Sequence, residues 1–118
     1  MTNVQSPKRY DLEDRTYRFA HRINLFCKTL PRSVSNAEYV KQVIRSSGSV
    51  GANYIEANES LGKKDFIMRV KICRKESKET GFWLRLLMET NDARFKVEGE
   101  GLLNEAIELK KIFSSMVV

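Results

Sequence analysis

The stretch KKDFIMRVKICRKESKETGFWLRLLMET, residues 63–90, sets Phe66, Val70, Cys73, Ser77, Thr80, Leu84 and Leu87 at alternating steps of four and three. That spacing is the seam of a helix packed in a bundle. A helix of this length spans about 42 Å at 1.5 Å per residue. No alternating apolar run competes with it as a strand.

The same spacing recurs on both sides. Leu12, Thr16, Phe19, Ile23, Phe26 and Leu30 predict a helix over about 12–30, with Asp11 as N-cap and Pro31 as its stop. Ser35 and Glu38 stand in capping-box relation and open a second helix over about 36–60. Its stripe is Val40, Val43, Ser47, Val50, Tyr54, Ala57 and Leu61. Gly48 and Gly51 each cost about 1 kcal/mol inside a helix. Two readings are open: a close approach by a neighbouring backbone, or a kink near Gly48. The segment NDARFKVEGEG predicts a loop. Leu102, Ala106, Leu109, Phe113 and Met116 predict a fourth helix over about 100–116. The expected fold class is all-α: residues 1–118 form one antiparallel up-down-up-down four-helix bundle.

Composition agrees with this. A chain of 118 residues is one domain on length alone, and 42% apolar content can bury a core. Six Gly and two Pro are too few for a turn-rich sandwich or barrel. Cys27 and Cys73 match no zinc or redox spacing and read as reduced, buried thiols. MTNVQSPKRYDLEDR lacks the apolar core of a signal peptide, and no apolar run could span a bilayer. A cytoplasmic protein without membrane association is expected.

Catalytic chemistry finds no footing. The sole histidine, His21, falls opposite the core stripe of its helix, so the Glu-x-x-His pairs of a metal bundle cannot form. No nucleophile constellation and no phosphate-binding glycine loop occurs. The expectation is a non-enzyme with no metal and no cofactor.

The long helix carries more than its seam. At about 100° per residue, Met68, Ile72, Phe82, Trp83 and Leu86 form a second apolar face, nearly opposite the first. A single bundle covers one such face, so the second predicts self-association anchored by Trp83, the alternative being that the first helix or the 91–99 loop folds over it. Lys71, Arg74, Lys78 and Arg85 lie between the two faces, and Arg15, Arg18 and Arg22 follow one flank of the first helix. Residues 63–90 carry eight basic and four acidic side chains, and residues 8–30 carry six and three. The segments 36–60 and 98–113 are net negative. With a net charge of +6, these basic flanks predict contact with RNA or DNA through the phosphate backbone. The competing reading is a structural or protein-interaction module whose charge serves solubility. Arg45, Asn53, Glu56, Glu76 and Glu79, with Ser77 and Thr80, are placed to form a polar network at the bundle seam, either fixing register and oligomer state or, in a third reading, lining the pocket of a ligand-binding or enzymatic bundle.

Leu30-Pro31, Arg45-Ser46 with the small residues after it, Asn53 with Glu56, and Glu76, Glu79 and Trp83-Leu84 carry a further signal. With them the chain resembles, over nearly its whole length, the bacterial four-helix-bundle proteins encoded in intervening sequences of 23S ribosomal RNA genes. Gly81 departs from that pattern, which has a longer residue there. The resemblance implies an antiparallel bundle assembling as a homopentamer. It is also similar to the accessory variability protein of diversity-generating retroelements, a basic pentameric barrel that binds nucleic acid and a reverse transcriptase. A reverse transcriptase is therefore the partner that the interaction-module reading implies.

Overall fold

The computed structural model describes residues 7–118, with side chains from Leu12 onward. Helix α1 spans Pro7–Thr29, α2 Val34–Asn58, α3 Lys63–Glu89 and α4 Lys96–Ser115, and a 3₁₀ turn at Ala93–Phe95 leads into α4. Short links leave each helix no option but to run back along its predecessor. α2 packs along α3, α3 along α4 and α1 along α2, while α1 meets α4 over a shorter seam. The result is the antiparallel four-helix bundle expected from the periodicity. α1 and α3 occupy diagonal corners of it. No described helix is long and apolar enough to cross a membrane.

The predicted stripes form the core. Phe19, Ile23, Val43, Val50, Val70, Leu84, Leu87, Leu102, Leu109 and Phe113 are essentially inaccessible to solvent. Leu61 is the exception: it falls beyond the end of α2 and is fully exposed. The α2–α3 seam is lined by short polar side chains. Thr80 Oγ1 donates to the Glu76 carbonyl at 2.8 Å and pairs with Ser46 Oγ at 2.8 Å. Ser77 Oγ donates to the Cys73 carbonyl at 2.8 Å. These hydroxyls find partners inside the core, so their burial carries no unpaired-group penalty.

The helix ends differ from the sequence reading. α1 begins at Pro7, so Asp11 is interior to the helix rather than its cap. The cap of α2 is Ser33, whose side chain accepts from the Asn36 backbone N–H at 3.0 Å, and the Ser35–Glu38 box does not form the start. Asn36 is held at this helix start by its side chain as well. Its side-chain amide donates to the Pro31 carbonyl at 2.9 Å and exchanges hydrogen bonds of 2.9 and 2.8 Å with Asn91. That exchange ties the α1–α2 link to the end of α3. The expected loop is mostly helical: α4 already runs from Lys96.

The glycines of α2 separate cleanly. The helix is continuous through Gly48, and a Cβ there would meet nothing within 4 Å. A Cβ on Gly51 would lie 3.0 Å from Thr16 Oγ1, so α1 approaches closely at Gly51 and not at Gly48, with the Thr16 side chain nearer than its backbone. Thr16 cannot easily yield, because its hydroxyl donates to the Leu12 carbonyl at 2.7 Å. Gly99 is tighter still: an added Cβ would overlap the Met88 side chain.

Gly48→Ala is expected to raise stability by about 1 kcal/mol through helix propensity alone. Gly99→Ala is expected to lower it by about 1–3 kcal/mol through overpacking. Denaturant unfolding measures both, and shifts of the same sign would contradict this packing.

Candidate functional site

The two basic flanks have different electrostatic settings. On α1, Arg15 sits in a bidentate fork on Glu105 of α4, with Nε to Oε2 at 2.7 Å and Nη2 to Oε1 at 2.9 Å. Both side chains are largely covered, and planar forks of this kind are among the stronger charged contacts. Arg18 pairs with Asp14 at 2.9 Å and Arg22 with Glu98 at 3.7 Å, both in exposed positions where a pair carries little energetic weight. Each predicted α1 cation thus has a carboxylate beside it.

On α3 the position is reversed. Lys71 and Lys78 are exposed, Arg74 is half-buried, and none has a carboxylate partner among the described residues. Arg85 meets Glu89 at 3.9 Å on an exposed turn, a contact of little energetic weight. Two cations that sequence reasoning passed over join them. Lys75 is exposed on the outer side of α3, and Lys110 of α4 lines the same groove as Lys78 and Arg85. Lys110 was hidden by the net negative charge of its segment. Because α1 and α3 are diagonal, the two basic flanks do not merge on one subunit.

The second apolar face of α3 is divided. Trp83 is half-buried, with its ring 6.0 Å from that of Tyr39 on α2, and its indole N–H reaches Glu79 Oε2 at 3.4 Å. The single chain therefore covers much of the indole, through a tyrosine outside every predicted stripe. Ile72 and Leu86 are half-buried, while Met68 and Phe82 are exposed. Phe82 turns toward α4, where a groove of about 320 Å³ runs between the two helices.

The expected polar network separates into parts. Arg45 donates to Glu76 Oε1 at 3.3 Å and to Glu79 Oε2. The hydrogen bond to Glu76, foremost, raises the guanidinium above its ordinary value against the opposing effect of desolvation. Asn53 belongs to a second cluster, donating to Ser49 and accepting from Arg69 at 3.2 Å. The Glu56 side chain is exposed and joins neither. These contacts serve packing of α2 on α3 rather than a shared pocket.

Reactive groups are shielded. Burial pushes the Cys27 thiol up to about 11 and the Cys73 thiol up to about 12. His21 is exposed and stacks on Tyr17 with ring centroids 6.2 Å apart. Among the described residues no group of three His, Cys, Asp or Glu side chains could hold a metal ion.

A family model described as 23S rRNA-intervening sequence protein matches residues 8–115. Among solved structures, a protein of unknown function from the S23 ribosomal protein family of Bacteroides thetaiotaomicron is similar. It is 32% identical with a TM-score of 0.75, and the match covers 89% of this chain and 96% of that one. No curated protein matches.

Two outcomes follow from the geometry. Arg45→Ala leaves the nearly buried Glu76 carboxylate without its partner and is expected to cost about 1–2 kcal/mol in denaturant unfolding. Pairing it with Glu76→Gln should recover part of that loss, and purely additive effects would contradict the contact. The thiols ionise near 9.0 when unfolded and only near 11 and 12 when folded. Their contribution to stability is complete below pH 9 and is lost as pH rises through the folded values. At about pH 8 iodoacetamide should label neither cysteine in the native chain and both in denaturant. Rapid native labelling would contradict the burial.

Proposed function

Because the chain belongs to the 23S rRNA-intervening sequence protein family, we propose that it is a non-enzymatic, cytoplasmic bundle that self-associates and binds RNA or DNA. One observation carries this reading: among the described residues Lys71, Arg74, Lys75 and Lys78 lie along α3 with no carboxylate to neutralise them, whereas Arg15, Arg18 and Arg22 of α1 each have one. Unneutralised cations in a row exchange condensed counterions on a phosphate backbone for themselves, and that release drives binding without sequence readout. Cations already held by carboxylates gain less, since binding must compete with the existing pair.

Self-association is supported by Met68, Ile72 and Leu86, which share the outward side of α3 and keep apolar area in water. Family resemblance favours five copies, which would repeat the cationic row around a ring and multiply its affinity. A non-enzymatic role is supported by the chemistry at hand. The thiols are held protonated, the exposed histidine stacks on a tyrosine, and Glu76 and Glu79 are both engaged by Arg45.

Fluorescence anisotropy with labelled RNA and DNA, across about 50 to 200 mM salt, tests the charge claim. Neutralising two or three phosphates predicts a log–log salt slope of about −1.8 to −2.7 on duplex and about −1.4 to −2.1 on single strands. Lys71→Gln, Arg74→Gln and Lys78→Gln together should flatten it, while Arg18→Gln with Arg22→Gln should change it little. Absence of binding at the lowest salt, or greater sensitivity to the α1 pair, would contradict the reading and favour a protein-interaction module. Light scattering tests assembly: a mass several times that of the chain is expected, and a monomer at micromolar concentration would contradict it.

A further inference from the structure

We propose that the α3–α4 groove at Phe82 is a stacking site for an unpaired nucleotide, so that this surface takes single strands in preference to duplex. The inference rests on the nucleic-acid reading above and adds the form of the ligand. The groove is a consequence of small residues. Gly81 is buried, and a Cβ added to it would stand 3.3 Å from Leu103 Cδ1. Ser77 and Ala106 complete a low floor, so α3 and α4 lie close and the side chains at the edges rise above it. Gly81 is also the position at which this chain departs from the longer residue of the pattern it resembles.

The edges are what a nucleotide requires. Phe82 is 56% exposed although its ring contacts Trp83 edge-on at 4.9 Å, so the indole steadies it without enclosing it. Ile107 faces it across the groove and is 41% exposed. Lys78, Arg85 and Lys110 stand on the rim, and the lining contains no carboxylate. The cavity between Leu25 and Phe95 differs on this point, because Glu98 lines it. An aromatic face beside a cationic track is the recognition surface of sequence-tolerant single-strand binders: the base stacks and the phosphates follow the charge. A duplex keeps its bases in the stack and offers edges and backbone rather than open base faces, so Phe82 finds no face to stack on.

The experiment compares a labelled 20-nucleotide oligo-dT or oligo-U with a 20-base-pair duplex at equal salt, using the full chain and the variants Phe82→Ala and Phe82→Tyr. Stacking contributes about 1–3 kcal/mol per base, so Phe82→Ala should weaken single-strand binding about 5- to 150-fold. Duplex affinity should stay within about twofold, and Phe82→Tyr should restore the single-strand value, because a phenol ring stacks equally well. Circular dichroism checks that helicity is retained. Equal loss on both ligands, or no loss on either, overturns the stacking site while leaving the charge reading in place. A change in oligomer mass on Phe82→Ala shows that the groove holds a second copy and also overturns it. Absence of any nucleic-acid binding by the unaltered chain overturns both readings together.

Discussion

The double contact of α3, along α2 on one side and α4 on the other, is the constraint from which the rest of the molecule follows. Val70, Cys73, Ser77, Thr80, Leu84 and Leu87 are all sealed between those neighbours. A helix held this way cannot rotate without exposing that stripe and breaking the Ser46–Thr80 and Cys73–Val50 hydrogen bonds. Its outer side is therefore fixed in water, with Lys71, Lys75, Lys78 and Phe82 on display. Function, on this account, is a by-product of where the seam forces everything else to point.

Charge shows why position outranks composition. The first and third helices both carry an excess of cations, and counting by segment treats them alike. The fold does not. α4 lies against the basic flank of α1 and supplies Glu98 and Glu105 to it. The same α4 presents Lys110 to the α3 side. A helix of net negative charge thus neutralises one neighbour and reinforces the other. The Arg15–Glu105 fork then closes a seam that has few other contacts, which is a structural use of a residue that charge alone would assign to a ligand.

The stripes were legible because the period of apolar residues is a direct image of burial. What escaped depended on pairings across the bundle. Ser33 rather than Ser35 caps α2, and beside it Asn36 reaches Asn91, a partner 55 positions away. The helical character of residues 96–101 was masked by Gly99 and Gly101, yet Gly99 is there because Met88 leaves no space for a side chain. Tyr39 covers Trp83 from outside any stripe, so the long helix is less exposed alone than its two apolar faces suggested. Arg45 and Glu76 do meet, as charge and spacing indicated, whereas Glu56 is exposed about three turns along α2 from Arg45. In the candidate site, Lys71, Arg74, Lys78 and Arg85 could be read from spacing, while Lys110 required knowing which helix packs beside α3.

Backbone amide shift mapping tests the central claim most directly, since it asks where a nucleic acid touches without altering a residue. On adding a short single-stranded oligonucleotide at low salt, the account predicts perturbations concentrated between residues 71 and 85 of α3 and around residues 103–110 of α4. Perturbations centred on Arg15, Arg18 and Arg22 of α1, with α3 silent, would contradict it.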